Sequence, residues 1–306
     1  MWEGVKKVIY VITVLLGVMI LIFLMLRIIP GDTASVLLND HVNQEALARM
    51  TENLGLDKPL PVQFFRYLTG VLRGDLGQSF YYNRPVLSLI AEAFPNTLLL
   101  SVMAALFAWV FGILAGVISV LHNRRFPDYL FSGLSLLGIS VPVFMTALFL
   151  QYIFYFRLSL FPQNYNGSVY SMILPSVALG WNSAGSIGRL TRSNLMEQMQ
   201  APYIDTAKAK GMTAKRAVLT HGLKNAMLPI ITMMAIQFSG MLSGAVITES
   251  IFGISGIGKL AITAIQTRDM PLLQGTVLFA TLLVAVGNIA ADVINRVLDP
   301  RLKNTK

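Results

Sequence analysis

Residues 97–121 read Thr97-Leu-Leu-Leu-Ser-Val-Met-Ala-Ala-Leu-Phe-Ala-Trp-Val-Phe-Gly-Ile-Leu-Ala-Gly-Val-Ile-Ser-Val-Leu121, and none of these residues is charged. An α-helix rises about 1.5 Å per residue, so about 20 apolar residues are needed to cross about 30 Å of hydrocarbon. The stretch is therefore long enough to cross a lipid bilayer as one helix, and it predicts a membrane protein.

Five further segments are apolar over a similar length: 8–26, 129–156, 171–188, 225–247 and 272–293. Pro142 and Pro175 lie inside two of them. We expect neighbouring helices to satisfy the carbonyl groups that these prolines leave without a donor. The sequence thus predicts an all-α, polytopic membrane protein with six transmembrane helices.

The composition agrees with this class. Of 306 residues, 55% are hydrophobic and 13% are charged, whereas charged residues make up about 25% of typical soluble domains. The mean hydropathy is +0.63. The chain has no Cys, which excludes disulfide frameworks and thiolate catalysis. The three histidines, His41, His122 and His221, are far apart in the chain, so no metal site is expected.

The formal charge of +9 raises nucleic-acid binding as an alternative. If the N-terminus is cytoplasmic, the predicted spans place fifteen basic and six acidic residues inside, with nine of each outside. This is the positive-inside asymmetry of membrane proteins. The excess charge therefore predicts that both termini are cytoplasmic, and it no longer supports a nucleic-acid partner.

Two segments outside the spans are longer than simple connectors. On the extracytoplasmic side, 30–92 contains two predicted helices, 44–54 and 61–73, which are followed by Gly55 and Gly74. On the cytoplasmic side, 189–224 is basic and helical.

The cytoplasmic segment contains Tyr203-Ile-Asp-Thr-Ala-Lys-Ala-Lys-Gly211. Pro202 is suited to begin a short helix, Gly211 to end it in a left-handed cap, and Thr213 to cap the next helix. A short helix between two spans is one interpretation of this pattern. The alternative is a basic loop that touches anionic lipid.

Gly253-Ile-Ser-Gly-Ile-Gly-Lys259-Leu260 is close to a phosphate-binding loop. Leu260 stands where a Ser or Thr would ligate Mg²⁺, no strand is predicted before the loop, and the topology places it outside. We therefore interpret it as a gate-lining turn bordered by Glu249, Lys259, Arg268 and Asp269.

Polar side chains in the predicted spans are candidates for the translocation path: Gln151, Gln237 and Asn288. Hydrogen bonds between helices are an equally good explanation for them. The GxxxG patterns Gly112 to Gly116 and Gly240 to Gly244 predict close helix packing, within the chain or toward a second subunit.

Asp205-Thr206-Ala207, Gly211 and the downstream Leu228-Pro229 resemble the EAA loop of type I ABC importer permeases, in the branch that imports dipeptides, oligopeptides and nickel. Asp205 and Thr206 replace the Glu and Ala of that motif, and Ser255 stands where Pro is common. Other motifs occur in the order of the B-type subunits of that branch: Arg27-Ile-Ile-Pro-Gly-Asp32, Leu54-Gly-Leu-Asp-Lys-Pro-Leu60, Leu72-Arg-Gly-Asp-Leu-Gly77, Arg84-Pro-Val86, Gly138-Ile-Ser-Val-Pro142, His221-Gly-Leu-Lys-Asn-Ala226, Glu249-x-x-Phe252, Arg268-Asp269 and Leu298-Asp-Pro-Arg301.

The resemblance implies a domain plan. Residues 1–29 would be an N-terminal transmembrane helix, 30–92 an extracytoplasmic helical segment, 93–299 the ABC transmembrane type-1 domain with its cytoplasmic coupling loop at 189–224, and 300–306 a cytoplasmic tail. The chain would lie in the bacterial cytoplasmic (inner) membrane.

The resemblance also implies a non-catalytic permease that forms half of a path for di- or oligopeptides. Its partners would be a homologous permease, two ABC ATPase subunits, an extracytoplasmic solute-binding protein and the lipid bilayer. ATP and Mg²⁺ would be bound by the ATPases and no cofactor by this chain. The residues implied in ATPase coupling are Tyr203, Asp205, Thr206, Ala207, Lys208, Gly211, His221 and Pro229.

Two alternatives remain open at the level of sequence. Permeases for nickel, metal chelates or glutathione belong to the same branch. An ion-coupled secondary transporter would also be helical and positive inside, although it normally needs titratable groups within the bilayer.

Overall fold

The computed structural model describes residues 2–28, 58–243 and 245–298, and these are mostly helical. The helices are α1 (Trp2–Ile28), α2 (Leu60–Leu72), α3 (Val86–Leu121), α4 (Phe126–Ser140), α5 (Val143–Leu150), α6 (Ile173–Gln198), α7 (Pro202–Ala209), α8 (Ala214–Ala217), α9 (Leu223–Leu242), α10 (Val246–Ile251), α11 (Ile257–Gln266) and α12 (Met270–Leu298). The predicted helix 44–54 lies outside the described residues, whereas 61–73 corresponds to α2.

Shorter elements connect these helices. π-helical turns follow α5 (Gln151–Arg157) and α8 (Val218–Gly222), and a 3₁₀ turn (Tyr170–Met172) precedes α6. Strands β1 (Gln78–Ser79) and β2 (Arg84–Pro85) form a small antiparallel hairpin.

Three helices of the described part are long and apolar enough to cross a membrane: Val86–Leu121, Lys215–Leu242 and Met270–Ile294. Helix α4 and residues 143–157 make a fourth span if the bent pair is counted as one. Two shorter apolar helices, Ile9–Met25 and Ile257–Gln266, accompany them. A mostly helical chain with three to four candidate membrane spans is therefore confirmed, while six spans and the orientation of the termini stay predictions.

The third predicted span, 129–156, is not one continuous helix, which corrects the prediction. The chain bends by 113° between α4 and α5. Val141 is extended, with φ −87° and ψ 125°, as the residue before a proline prefers. Pro142 has no N–H to donate to the Gly138 carbonyl one turn earlier. The Asn182 Nδ2 of α6 donates to that carbonyl instead, at 3.1 Å.

Helix α6 also differs from the predicted span 171–188. It continues to Gln198, so the segment 189–198 is a continuation of the helix and not part of a loop. Pro175 lies in the first turn, where the missing N–H costs no intrahelical hydrogen bond. The helix is not among those of the described part that are long and apolar enough to cross a membrane. Twelve of its residues are buried within the protein.

Glycines let α6 pack against α3 and α4 at backbone distance. A Cβ built at Gly116 of α3 would lie 2.5 Å from the Thr191 Cβ, and one at Gly185 of α6 would lie 2.5 Å from the Ser135 carbonyl oxygen. The Gly112 to Gly116 pattern is thus a packing seam within the chain. At Gly240, in contrast, no atom lies within 4 Å of the Cβ position.

The chain divides into two compact units. The first comprises Met1–Thr97 and Ser255–Leu283, and the second comprises Leu98–Ile254 and Val284–Lys306. A core in the first unit joins the start of α3 to α11 and α12 through Val86, Ile90 and Leu272, among others. The largest core of the second unit packs α3, α6 and α9 around residues such as Ile187, Leu195 and Ile230.

Candidate functional site

Helix α7 is bounded by the residues that the sequence predicts. Ala201 is extended and Pro202 occupies the first helical turn. At the other end Gly211 has φ +86°. The Gly211 N–H donates to the Lys208 carbonyl at 2.9 Å, and the Met212 N–H donates to the Ala207 carbonyl at 3.2 Å. This pair of bonds is a Schellman cap, so α7 is a defined rigid element.

The next helix begins as predicted at Thr213. Its Oγ1 accepts from the Arg216 N–H at 3.3 Å, and its carbonyl accepts from the Ala217 N–H at 2.9 Å. His221 lies in the π-helical turn that follows, and Pro229 lies inside α9. Both side chains are exposed. The connector around α7 therefore spans 199–213, which is shorter than the predicted loop 189–224.

One face of α7 is buried and the other is free. Ile204 is 0% exposed and Ala207 is 7% exposed. The opposite side is exposed and carries Tyr203, Asp205, Thr206 and Lys208. Lys208 Nζ lies 3.3 Å from Asp205 Oδ1, and Thr206 Oγ1 donates to its own helix at the Pro202 carbonyl. These polar groups form a surface that a partner can contact.

Helix α7 is fastened to the end of α6. The Tyr203 hydroxyl donates to Gln198 Oε1 at 2.7 Å, and the Met199 N–H donates to the Leu195 carbonyl at 3.0 Å. Leu195 is fully buried in the core of the second unit. Helix α7 is thus joined to the end of α6 by this side-chain hydrogen bond and by the short connection through residues 199–201.

The surroundings of α7 are positively charged. Basic side chains are exposed at Lys208, Lys210, Lys215, Arg216 and Lys224. The exposed side of the segment is thus suited to an acidic partner surface or to anionic lipid.

Among the predicted path residues in the second unit, Gln151 uses its side chain to hydrogen-bond backbone carbonyl groups of two other segments. Its Nε2 donates to the carbonyls of Gln163 at 3.0 Å and Ile251 at 3.4 Å. Gln237 has a buried Oε1 with no hydrogen-bond partner among the described residues. Asn288 is exposed on α12. The Gln237 oxygen is thus buried without a hydrogen-bond donor among the described residues, whereas the Asn288 side chain is accessible from outside the chain.

Glu249 lies on α10 and is 0% exposed. Its backbone N–H donates to the Ala245 carbonyl, and its own carbonyl accepts from the Ile254 N–H, both at 2.8 Å. The residue is therefore part of the packed turn between α10 and α11.

Arg268 and Asp269 lie in the first unit, between α11 and α12. Asp269 is 1% exposed. Its Oδ2 accepts from Ser79 Oγ at 2.6 Å and from the Tyr81 N–H at 3.0 Å, and its Oδ1 accepts from the Leu272 N–H at 3.1 Å. This carboxylate anchors the hairpin and caps α12. Arg268 is exposed, with φ +50°.

The turn that resembles a phosphate-binding loop uses one of its amides inside the protein. The Ile257 N–H, at the start of α11, donates to Thr97 Oγ1 at 2.8 Å. In the part of the chain that the structure describes, no group of three or more His, Asp or Glu side chains is placed to hold a metal ion.

An ion pair that the sequence analysis missed connects α4 and α6. Arg192 Nε donates to Asp128 Oδ1 at 2.8 Å, and Arg192 Nη2 donates to Oδ2 at 3.0 Å. A sequence signal existed, because both residues flank predicted spans on the same predicted side. Pairing them, however, required knowing which helices are neighbours.

Comparison with known proteins identifies the family. Residues 108–304 match the family model described as "Binding-protein-dependent transport system inner membrane component", and residues 4–101 match the model for the N-terminal part of these components. The glutathione transport system permease protein GsiC of Salmonella paratyphi A is 37% identical over 298 residues, covering 97% of each chain. The protein of the same name from Pectobacterium atrosepticum is 35% identical, covering 98% of each chain.

Solved structures share the fold. The inward-facing MetNI methionine ABC transporter matches with a TM-score of 0.58 at 16% identity, covering 70% of this chain and 97% of that one. An amino acid ABC transporter solved with histidines matches with a TM-score of 0.53 at 17% identity, covering 69% and 94%.

These matches favour the importer permease over the ion-coupled secondary transporter that the sequence left open. The relatives are permease subunits, which are non-catalytic membrane components. The chain therefore belongs to the binding-protein-dependent transport system inner membrane components, the permease subunits of ABC importers.

Proposed function

We propose that this chain forms half of the translocation path of an ATP-driven importer for glutathione or related short peptides. The observation that carries the proposal is its 37% identity, over 97% of both chains, to a permease named for glutathione transport. Glutathione is a tripeptide, so this solute agrees with the peptide branch that the sequence motifs indicate. Nickel or a metal chelate is the alternative solute within that branch.

The proposed topology has six spans with both termini in the cytoplasm of a bacterium. The spans would be α1, α3, the bent α4 to α5 pair, α6, residues 215–242 and residues 270–294. The charge asymmetry of the sequence supports this orientation, because it places the whole excess of +9 on the side of the termini.

The proposed complex contains a homologous second permease, two ATPase subunits that bind ATP and Mg²⁺, and an extracytoplasmic solute-binding protein. Helix α7 would dock on one ATPase through the exposed face defined by Tyr203, Asp205, Thr206 and Lys208. Its Schellman cap and its bond to Gln198 support this role, since a stiff, anchored helix transmits displacement. Closure of the ATPases would then move the spans as rigid bodies.

We place Gln237 and Asn288 on the translocation path. The unpartnered Oε1 of Gln237 within the described chain and the exposure of Asn288 support this assignment. For Gln151, Glu249 and Asp269, the contacts described above favour a structural role, each within its own turn, over contact with the solute.

Uptake measurements test the solute. A strain that lacks the gene is supplied with labelled glutathione, a labelled dipeptide or labelled nickel, with and without a plasmid that encodes the chain. We expect the plasmid to restore glutathione or dipeptide uptake and to leave nickel uptake unchanged. Restoration of nickel uptake alone would contradict the peptide proposal and favour the metal-chelate alternative.

A further inference from the structure

The Asp128 carboxylate is buried and fully engaged. The residue is 3% exposed. Its oxygens accept two bonds from the Arg192 guanidinium, at 2.8 Å and 3.0 Å, one from the Arg124 N–H at 2.9 Å and one from Ser132 Oγ at 3.3 Å. A bidentate Arg–carboxylate pair fixes an angle as well as a distance. The start of α4 therefore cannot pivot on α6 without breaking this pair.

The position of the pair is close to α7. Asp128 lies in the first turn of α4. Arg192 lies near the end of α6, between the glycine seam and Gln198, where α7 is fastened. Along α6, Arg192 is therefore nearer to the attachment of α7 than the glycines that pack against α3 and α4 are.

The opposite end of α4 is also tied to α6. There Asn182 Nδ2 donates to the carbonyls of Gly138 and Ile139, at 3.1 Å and 3.3 Å. Between the two ends, Ser135 and Gly185 are in backbone contact. Helix α4 is therefore fixed to α6 along its whole length, and the bend at Pro142 is the first place after α4 where the chain changes direction.

A purely stabilising role does not explain why this contact is an ion pair, in which the Asp128 carboxylate is buried and the Arg192 side chain is 36% exposed. Burying the carboxylate costs free energy that the pair regains only with good geometry, and apolar residues can often replace such a pair without loss of stability. Backbone contact between Ser135 and Gly185 already holds the two helices close together. What the pair adds is a fixed register and angle at the end nearest α7.

We propose that Asp128 and Arg192 are a positioning pair that carries the displacement of α7 to α4 and to the bend at Pro142. The proposal rests on the proposed role of α7 as the contact with the ATPase. In this proposal α4 and α6 move as one rigid body during the ATP cycle. The ion pair keeps the first turn of α4 at a fixed position on α6.

The first experiment measures solute transported per ATP hydrolysed by the reconstituted complex, with Arg192→Gln, with the double variant Asp128→Asn/Arg192→Gln and with the control Arg189→Gln. Arg189 is exposed on the same helix. We expect the ratio to fall about tenfold in the single and double variants, within the usual range of coupling between sites, and to stay at the wild-type value in the control.

The double variant separates positioning from stability, because it leaves no unpaired buried charge. If the pair only stabilises the fold, the single variant lowers the amount of assembled complex, and the double variant has the wild-type ratio. That result would overturn the proposal. A wild-type complex that shows no ATP-dependent uptake would instead overturn the proposed function.

A second measurement does not depend on variants of the pair. The chain has no Cys, so spin labels can be placed at Tyr129→Cys on α4 and Ser193→Cys on α6, two exposed positions beside the pair. We expect the distance between the labels to be the same with and without ATP. A change of more than about 2 Å, the scale of helix shifts in allosteric proteins, would contradict movement as one body.

Discussion

Gly211 adopts a backbone conformation that other residues reach only at a cost. Its φ is +86°, and no atom lies within 4 Å of the position where a Cβ would stand. A substitution there therefore meets no steric clash with its surroundings. It affects only the backbone preference, which for a left-handed residue amounts to about 1–2 kcal/mol.

We expect Gly211→Val to loosen the Schellman cap of α7 and to abolish most ATP-dependent uptake, while the complex still assembles. Gly167→Val is the matched control, because Gly167 has φ +88° and equally open surroundings in a different loop. The measurement is labelled-solute uptake per assembled complex. Full uptake with Gly211→Val, or equal losses in the two variants, would contradict the proposed role of α7.

Local chemistry made this site predictable. The Pro at the start, the Gly at the end and the Thr of the next cap act within a few residues of themselves, so the sequence contains the information needed. The Asp128 to Arg192 pair depends on residues far apart in the chain and on the packing of α4 against α6. Sequence reasoning therefore had no means of joining them.

At the scale of the helices, the contact between α4 and α6 depends on the absence of side chains. At Gly185 an added Cβ would lie 2.5 Å from the Ser135 carbonyl oxygen, whereas at Gly240 on α9 nothing lies within 4 Å. Gly185 therefore has no room for a side chain, whereas Gly240 has room for one.

We expect Gly185→Ala to destabilise the protein by about 1–3 kcal/mol, because the backbones must separate. Gly240→Ala should be neutral or slightly stabilising, since Ala favours a helix more than Gly does. The test is the melting temperature of the purified protein in detergent. Equal melting temperatures for the two variants would show that the α4 to α6 contact is looser than described.

The helices were predictable where a single uninterrupted apolar run forms the whole membrane-spanning part of the helix. The runs in 8–26, 97–121 and 272–293 all lie within single helices, α1, α3 and α12. The apolar run at 129–156 did not reveal the bend, because Pro142 can sit in a kinked continuous span as well as at a break. The end of α6 was misplaced because the helix continues past the apolar run to Gln198, with exposed polar side chains at Arg189, Ser193 and Glu197.

At the scale of the whole molecule, the sequence assigns each loop to one side of the membrane. The proposed topology places α7 in the cytoplasm and the segment between Arg157 and Tyr170 outside. Lys208 and Val169 are exposed in these two places, and the absence of native Cys makes each accessible to selective labelling.

We expect Val169→Cys to react with a membrane-impermeant maleimide in intact spheroplasts, and Lys208→Cys to react only after permeabilisation. The positive-inside distribution of charge is the physical reason. Unpermeabilised spheroplasts of the Cys-free chain serve as the control. The reverse labelling pattern would invert the proposed orientation and separate α7 from any cytoplasmic ATPase.

The central claim is that this chain is a non-catalytic permease moved by ATP hydrolysis on partner subunits. The most direct measurement is glutathione uptake into proteoliposomes that contain the full complex with its binding protein, energised by ATP or by a proton gradient. We predict uptake with ATP alone, and no ATP hydrolysis by the purified chain by itself. Uptake driven by the proton gradient without ATP, or robust hydrolysis by the isolated chain, would contradict the claim.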